Sequence, residues 1–87
     1  MAKVEIYTTS WCPYCSRARA LLDKKGVRYA AIDIEEEPGR RAEMLARAHG
    51  GRSVPQIFID DEHIGGCDDM VALDRRGLLD RKLGIAA

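Results

Sequence analysis

The chain lacks a long apolar run, an excess of charge of either sign and the cysteine count of a disulfide scaffold. No stretch approaches the roughly 20 apolar residues that a membrane-spanning helix needs. The amino terminus, Met1-Ala2-Lys3-Val4-Glu5-Ile6, has Lys3 and Glu5 where a secretory leader would carry its apolar core. Basic and acidic residues number 14 each. That balance argues against nonspecific binding to nucleic acid or anionic membrane. Three cysteines form an odd set, unlike the larger even sets of small secreted scaffolds, and fit a reducing compartment. The expectation is a soluble, cytoplasmic protein. Zinc needs four ligands, and beyond Cys12 and Cys15 only Cys67, His49 and His63 remain, scattered and without a second ligand pair, so no metal site is expected. Neither histidine has partner spacing, and neither receives a role. Linkers, repeats and low-complexity segments are missing, and 87 residues make one domain, residues 1–87.

What is present is ordered in alternating patterns. Lys3 to Thr8 alternates polar and apolar as a strand does, and Thr9-Ser10-Trp11 is a loop. Pro13 suits the first position of a helix whose Ala18, Leu21 and Leu22 recur at helical spacing before Gly26. Val27 to Ile34 reads as a second strand. Glu35-Glu36-Glu37-Pro38 suits the opening of a second helix striped by Met44, Leu45 and Ala48. Gln56 to Ile59 and His63-Ile64 flank Asp60-Asp61-Glu62 as a hairpin. Asp68 or Asp69 caps a third helix ending near Gly77, and Leu78 to Leu83 adds a short terminal one. A β-α-β opening makes the first two strands parallel, and the short last connection makes the final pair antiparallel. The fold class is α/β, a mixed four-stranded sheet with helices on both faces.

Cys12-Pro13-Tyr14-Cys15 stands between the first strand and the first helix. If Cys12 is the helix N-cap, the N–H groups of Tyr14 and Cys15 point toward its sulfur and favour the thiolate, the reactive form. Cys15 is at i+3, on the same helix face, where it serves either as resolving thiol or as an inert buried cysteine. This C-x-x-C beside a β-α-β pattern is thioredoxin-like and indicates thiol–disulfide exchange.

Three blocks together, Cys12-Pro13-Tyr14-Cys15, Ser53-Val54-Pro55 and Gly65-Gly66-Cys67-Asp68-Asp69, give a close resemblance to the dithiol glutaredoxins of bacteria over nearly the whole chain. The resemblance implies a thioredoxin fold, with no tightly bound cofactor and glutathione as reducing co-substrate. It implies a glutathione site formed by Tyr14, Arg41, Ser53, Val54, Pro55, Asp68 and Asp69, and a cis Val54–Pro55 bond facing the thiols. Free N–H groups at the third helix would hold the γ-glutamyl carboxylate and an Asp side chain its ammonium. Each residue also has a plainer reading: surface packing for Tyr14, a strand-start proline for Pro55, capping for the aspartates, a solvated face for Arg40 and Arg41. Trp11 flanks the same groove with its role open, and Cys67 is either a small buried apolar residue or an oxidation site. Thr9 stands where many relatives carry lysine.

The expected function is reduction of protein disulfides and protein–glutathione mixed disulfides by a monomer, with Cys12 as nucleophile and Cys15 resolving. Two alternatives share the fold: a glutathione-ligated iron–sulfur carrier and an electron donor served by thioredoxin reductase.

Overall fold

Side chains that alternate between two cores along two neighbouring, almost wholly buried strands set the architecture. In β1 (Val4–Thr8), Val4 and Ile6 turn to one face and Tyr7 to the other. In β3 (Gln56–Ile59), Ile57 and Ile59 join Val4 and Ile6, while Phe58 joins Tyr7. Successive strand side chains point to opposite faces, so one sheet supplies two cores. The computed structural model describes residues 2–85 and shows the sheet in the order β2-β1-β3-β4. β2 (Ala30–Asp33) is parallel to β1; β3 is antiparallel to both β1 and β4 (Glu62–Gly65).

The first core is closed by α1 (Pro13–Lys24), α3 (Cys67–Arg75) and α4 (Leu79–Leu83) through Ala18, Leu22, Met70, Leu79 and Leu83. Full burial of a leucine such as Leu22 contributes about 1.5–3 kcal/mol. The second core is closed by α2 (Arg40–Arg47) through Met44 and by Ala48 just beyond it. Leu45, expected in the same stripe, is only half-buried and stands outside that cluster. Arg47 ties α2 to the sheet: its guanidinium donates to both Glu5 oxygens at 2.9 and 3.2 Å and lies 4.1 Å above the Phe58 ring.

Four boundaries differ from the sequence expectation. β2 begins at Ala30, not Val27, because Gly26 turns at φ +73° and the Val27 N–H closes the end of α1 on the Leu22 carbonyl. α2 begins at Arg40, since Asp33 Oδ1 accepts the N–H groups of Glu35 and Glu36 and holds that stretch as turn. Neither Asp68 nor Asp69 is the cap of α3; Gly66 is, and Asp69 reaches back to accept its N–H at 2.9 Å. The hairpin turn is the pair Asp60-Asp61, both at positive φ, so Glu62 falls inside β4.

Candidate active site

The loop after β1 delivers Cys12 to the N-cap of α1, with extended backbone (φ −88°, ψ 119°) and Pro13 at the first helical position. Only 7% of Cys12 is exposed. Its thiol donates to the Val54 carbonyl at 3.7 Å, joining positions 42 residues apart. Burial alone would raise the Cys12 pKa. The N–H of Cys15, the Cys15 thiol and the N–H of Tyr14 outweigh it, so Cys12 lies below the ordinary thiol value. The sulfur makes no short cap hydrogen bond, so these dipoles act at longer range. No acidic residue occupies the first turn of α1 to oppose them.

Cys15 is fully buried beneath Cys12. Burial pushes its thiol up, against the hydroxyl of Thr8 and the backbone of Thr9, with the Cys12 sulfur adding to the rise. The pair is therefore polarised: one sulfur ready to ionise, the other held protonated. All three cysteines are free thiols.

An open cleft of about 400 Å³ adjoins this pair. It falls within the usual size of small-molecule sites, about 300–1,000 Å³. Tyr14 lines it from α1, residues 53–56 from the loop before β3, His63 from β4 and residues 65–69 from the start of α3. The Val54–Pro55 peptide bond is cis. Tyr14 is 53% exposed, with the Arg17 guanidinium 5.6 Å from its ring centroid.

Of the residues expected at the site, Tyr14, Ser53, Val54, Pro55, Asp68 and Asp69 meet in this cleft, and Cys12 abuts its wall through Val54. Arg41 does not line it; the side chain is exposed at the start of α2. Trp11, 69% exposed, does not line it either, and donates instead to Glu35 at 2.8 Å. Gln56 and His63 were not expected, although Gln56 directly follows Pro55. Cys67 is buried at the cleft edge, and burial raises its thiol pKa against the opposing charge of Arg17, with Asp68 and Cys12 adding to the rise. Among the described residues, no three His, Cys, Asp or Glu side chains converge to hold a metal, and no helix is long and apolar enough to cross a membrane.

A family model described as Glutaredoxin matches residues 4–64. The chain belongs to the glutaredoxin family. It is 58% identical over 80 residues to glutaredoxin 3 of Escherichia coli strain K12, covering 92% of this chain and 95% of that one. A probable glutaredoxin of Synechocystis is 60% identical over 79 residues, covering 91% and 90%. Among solved structures, a buckwheat glutaredoxin–glutathione complex superposes with a TM-score of 0.88 at 35% identity, covering 98% of this chain and 83% of that one. The solution structure of a Brucella melitensis glutaredoxin gives 0.82 at 48% identity, covering 100% and 96%. This glutaredoxin thus has the thioredoxin-like fold and the polarised dithiol of a thiol–disulfide oxidoreductase.

Proposed function

We propose that this glutaredoxin uses glutathione to reduce protein–glutathione mixed disulfides and protein disulfides. One observation carries the reading: the ionisable sulfur of Cys12 sits against the carbonyl wall of a peptide-sized cleft. The buckwheat relative, solved as a glutathione complex, supports the choice of ligand.

On a mixed disulfide, the Cys12 thiolate attacks the glutathione sulfur. A Cys12–glutathione bond forms, the protein–sulfur bond breaks, and the protein thiolate leaves and takes a proton from water. A second glutathione thiolate then attacks the bound glutathione sulfur, releasing glutathione disulfide and restoring the Cys12 thiolate. On a protein disulfide, Cys12 bonds to one substrate sulfur and the other leaves. Cys15, deprotonated as it reacts, closes the Cys12–Cys15 disulfide and frees the second substrate thiol; two glutathiones reduce that bond. A raised Cys15 pKa suits this order, because the resolving sulfur stays protonated while Cys12 attacks.

Binding follows from the same cleft. A bound cysteinyl backbone would pair with Val54 as an added strand does. The first-turn N–H groups of α3 lack intrahelical acceptors and suit the γ-glutamyl carboxylate. Asp69 is committed to Gly66, so Asp68 is the carboxylate for the ammonium. Arg40 is paired with Glu37 and Glu43, whereas Arg41, exposed outside the cleft lining, makes no ion pair among the described residues and is the better candidate to reach the glycyl carboxylate.

The test is turnover of a glutathionylated peptide, coupled to NADPH through glutathione reductase. Cys12→Ser should abolish activity; Cys15→Ser should keep deglutathionylation and lose most protein-disulfide reduction. Full activity in Cys12→Ser, or reduction by thioredoxin reductase in place of glutathione, would refute the reading.

A further inference from the structure

The wall segment, residues 51–55, contains no helix or strand to hold the Val54 carbonyl opposite Cys12. Its anchor comes from the sheet. Gln56 is buried, and its Nε2 donates to the Ser53 carbonyl at 3.0 Å. That fixes the amide orientation, because a carbonyl accepts only from the nitrogen end. Gln56 Oε1 therefore faces away from the wall, 2.7 Å from His63 Nε2. The imidazole must be the donor at that nitrogen, which both the neutral Nε2–H tautomer and the imidazolium allow.

Strand geometry sets the pair. Phe58 and His63 are directly opposed across β3 and β4, and their rings stack with centroids 5.0 Å apart. Gln56 lies two residues before Phe58, across the register shift at Ile57/Phe58, and its long side chain reaches His63. Gly51 leaves the room: a Cβ there would lie 3.0 Å from the Gln56 amide nitrogen.

We propose that His63 and Gln56 are positioning residues, a two-bond relay from β4 that sets the backbone wall against which substrate is aligned to Cys12. The proposal rests on the function assigned above. His63 orients Gln56, Gln56 holds Ser53, and Ser53 fixes where the Val54 carbonyl stands. The imidazole need not touch the reacting sulfurs.

The experiment compares H63F, which keeps the stack on Phe58 but loses the donor, with H63Q, which keeps a donor. Both are assayed on the glutathionylated peptide alongside Q56L and the double variant. Loss of one hydrogen bond of ordinary strength should raise KM about twofold to tenfold in H63F, with kcat little changed and the melting temperature lowered by a few degrees as Gln56 Oε1 loses its donor. H63Q should restore KM, and H63F/Q56L should be no worse than Q56L alone. In the unmutated protein, nitrogen-15 NMR of His63 should show a protonated Nε2. An unchanged KM in H63F, an equal defect in H63Q, an additive double variant, or a neutral Nδ1–H tautomer would each overturn the relay. Absent turnover in the unmutated protein would instead remove the assigned function, and is seen before any variant is made.

Discussion

Two helix starts meet at the cleft, each bearing a cysteine, and they treat it in opposite ways. Cys12 is the N-cap of α1, outside the helix, with backbone N–H groups behind it and no acid in the first turn. Cys67 is the first residue inside α3, followed by Asp68 and Asp69. The dipole at the two termini has the same sign. Yet Cys12 is shifted down and Cys67 up. The lesson is that a thiol at a helix start is not activated by the dipole alone. Position relative to the cap, burial and neighbouring charges decide the outcome, and at α3 burial wins over the opposing charge of Arg17, with Asp68 adding a smaller push upward.

The sharpest test of that contrast is reactivity against pH. Thiolate is the reacting species, so Cys12, lying below the ordinary value, should reach full alkylation rate at lower pH than free cysteine, and Cys67 only at higher pH. At pH 7 the reduced protein should be alkylated by iodoacetamide at Cys12 at least about tenfold faster than at Cys67, as peptide mapping over time would show. Equal rates would erase the distinction between the two termini.

A smaller effect is expected from breaking the α3 start itself. Gly65 adopts φ +114°, and a Cβ there would lie 2.3 Å from Asp69 Oδ2. G65A should therefore cost about 2–3 kcal/mol in chemical denaturation, through strain and displacement of Asp69. D69A, which removes only the bond to the Gly66 N–H, should cost about 1 kcal/mol. A G65A protein as stable as the unmutated one would show that the Asp69 contact is dispensable.

The smallest effect probes the charge at α3. In a C12S/C15S background, D68N removes a carboxylate that raises Cys67, so the pH midpoint of Cys67 alkylation should fall. It should remain above that of free cysteine, because burial is the larger cause. A midpoint below free cysteine would mean that Asp68, not burial, keeps Cys67 quiet.

Much of this was legible before folding. The C-x-x-C at a strand–helix junction, the proline at the first helical turn and the strand alternation of Val4, Ile6 and Tyr7 are local patterns whose spacing carries their meaning. Where local signals competed, the reading slipped. The glutamates before Pro38 resemble a helix start, but Asp33 claims their N–H groups. Val27 resembles a strand, but the end of α1 claims its N–H. Asp68 and Asp69 resemble caps, but a glycine with extended backbone takes that place.

The sequence by itself determined the elements and their order, since each depends on residues within about one helical turn or strand repeat of one another, and the family, through three blocks read together along the chain. Only the tertiary structure decided that Val54 meets Cys12, that His63 reaches the wall through Gln56, and that two similar cysteines titrate apart. Those facts depend on burial and on contacts between distant segments, which have no spacing rule and exist only once the sheet has brought the segments together.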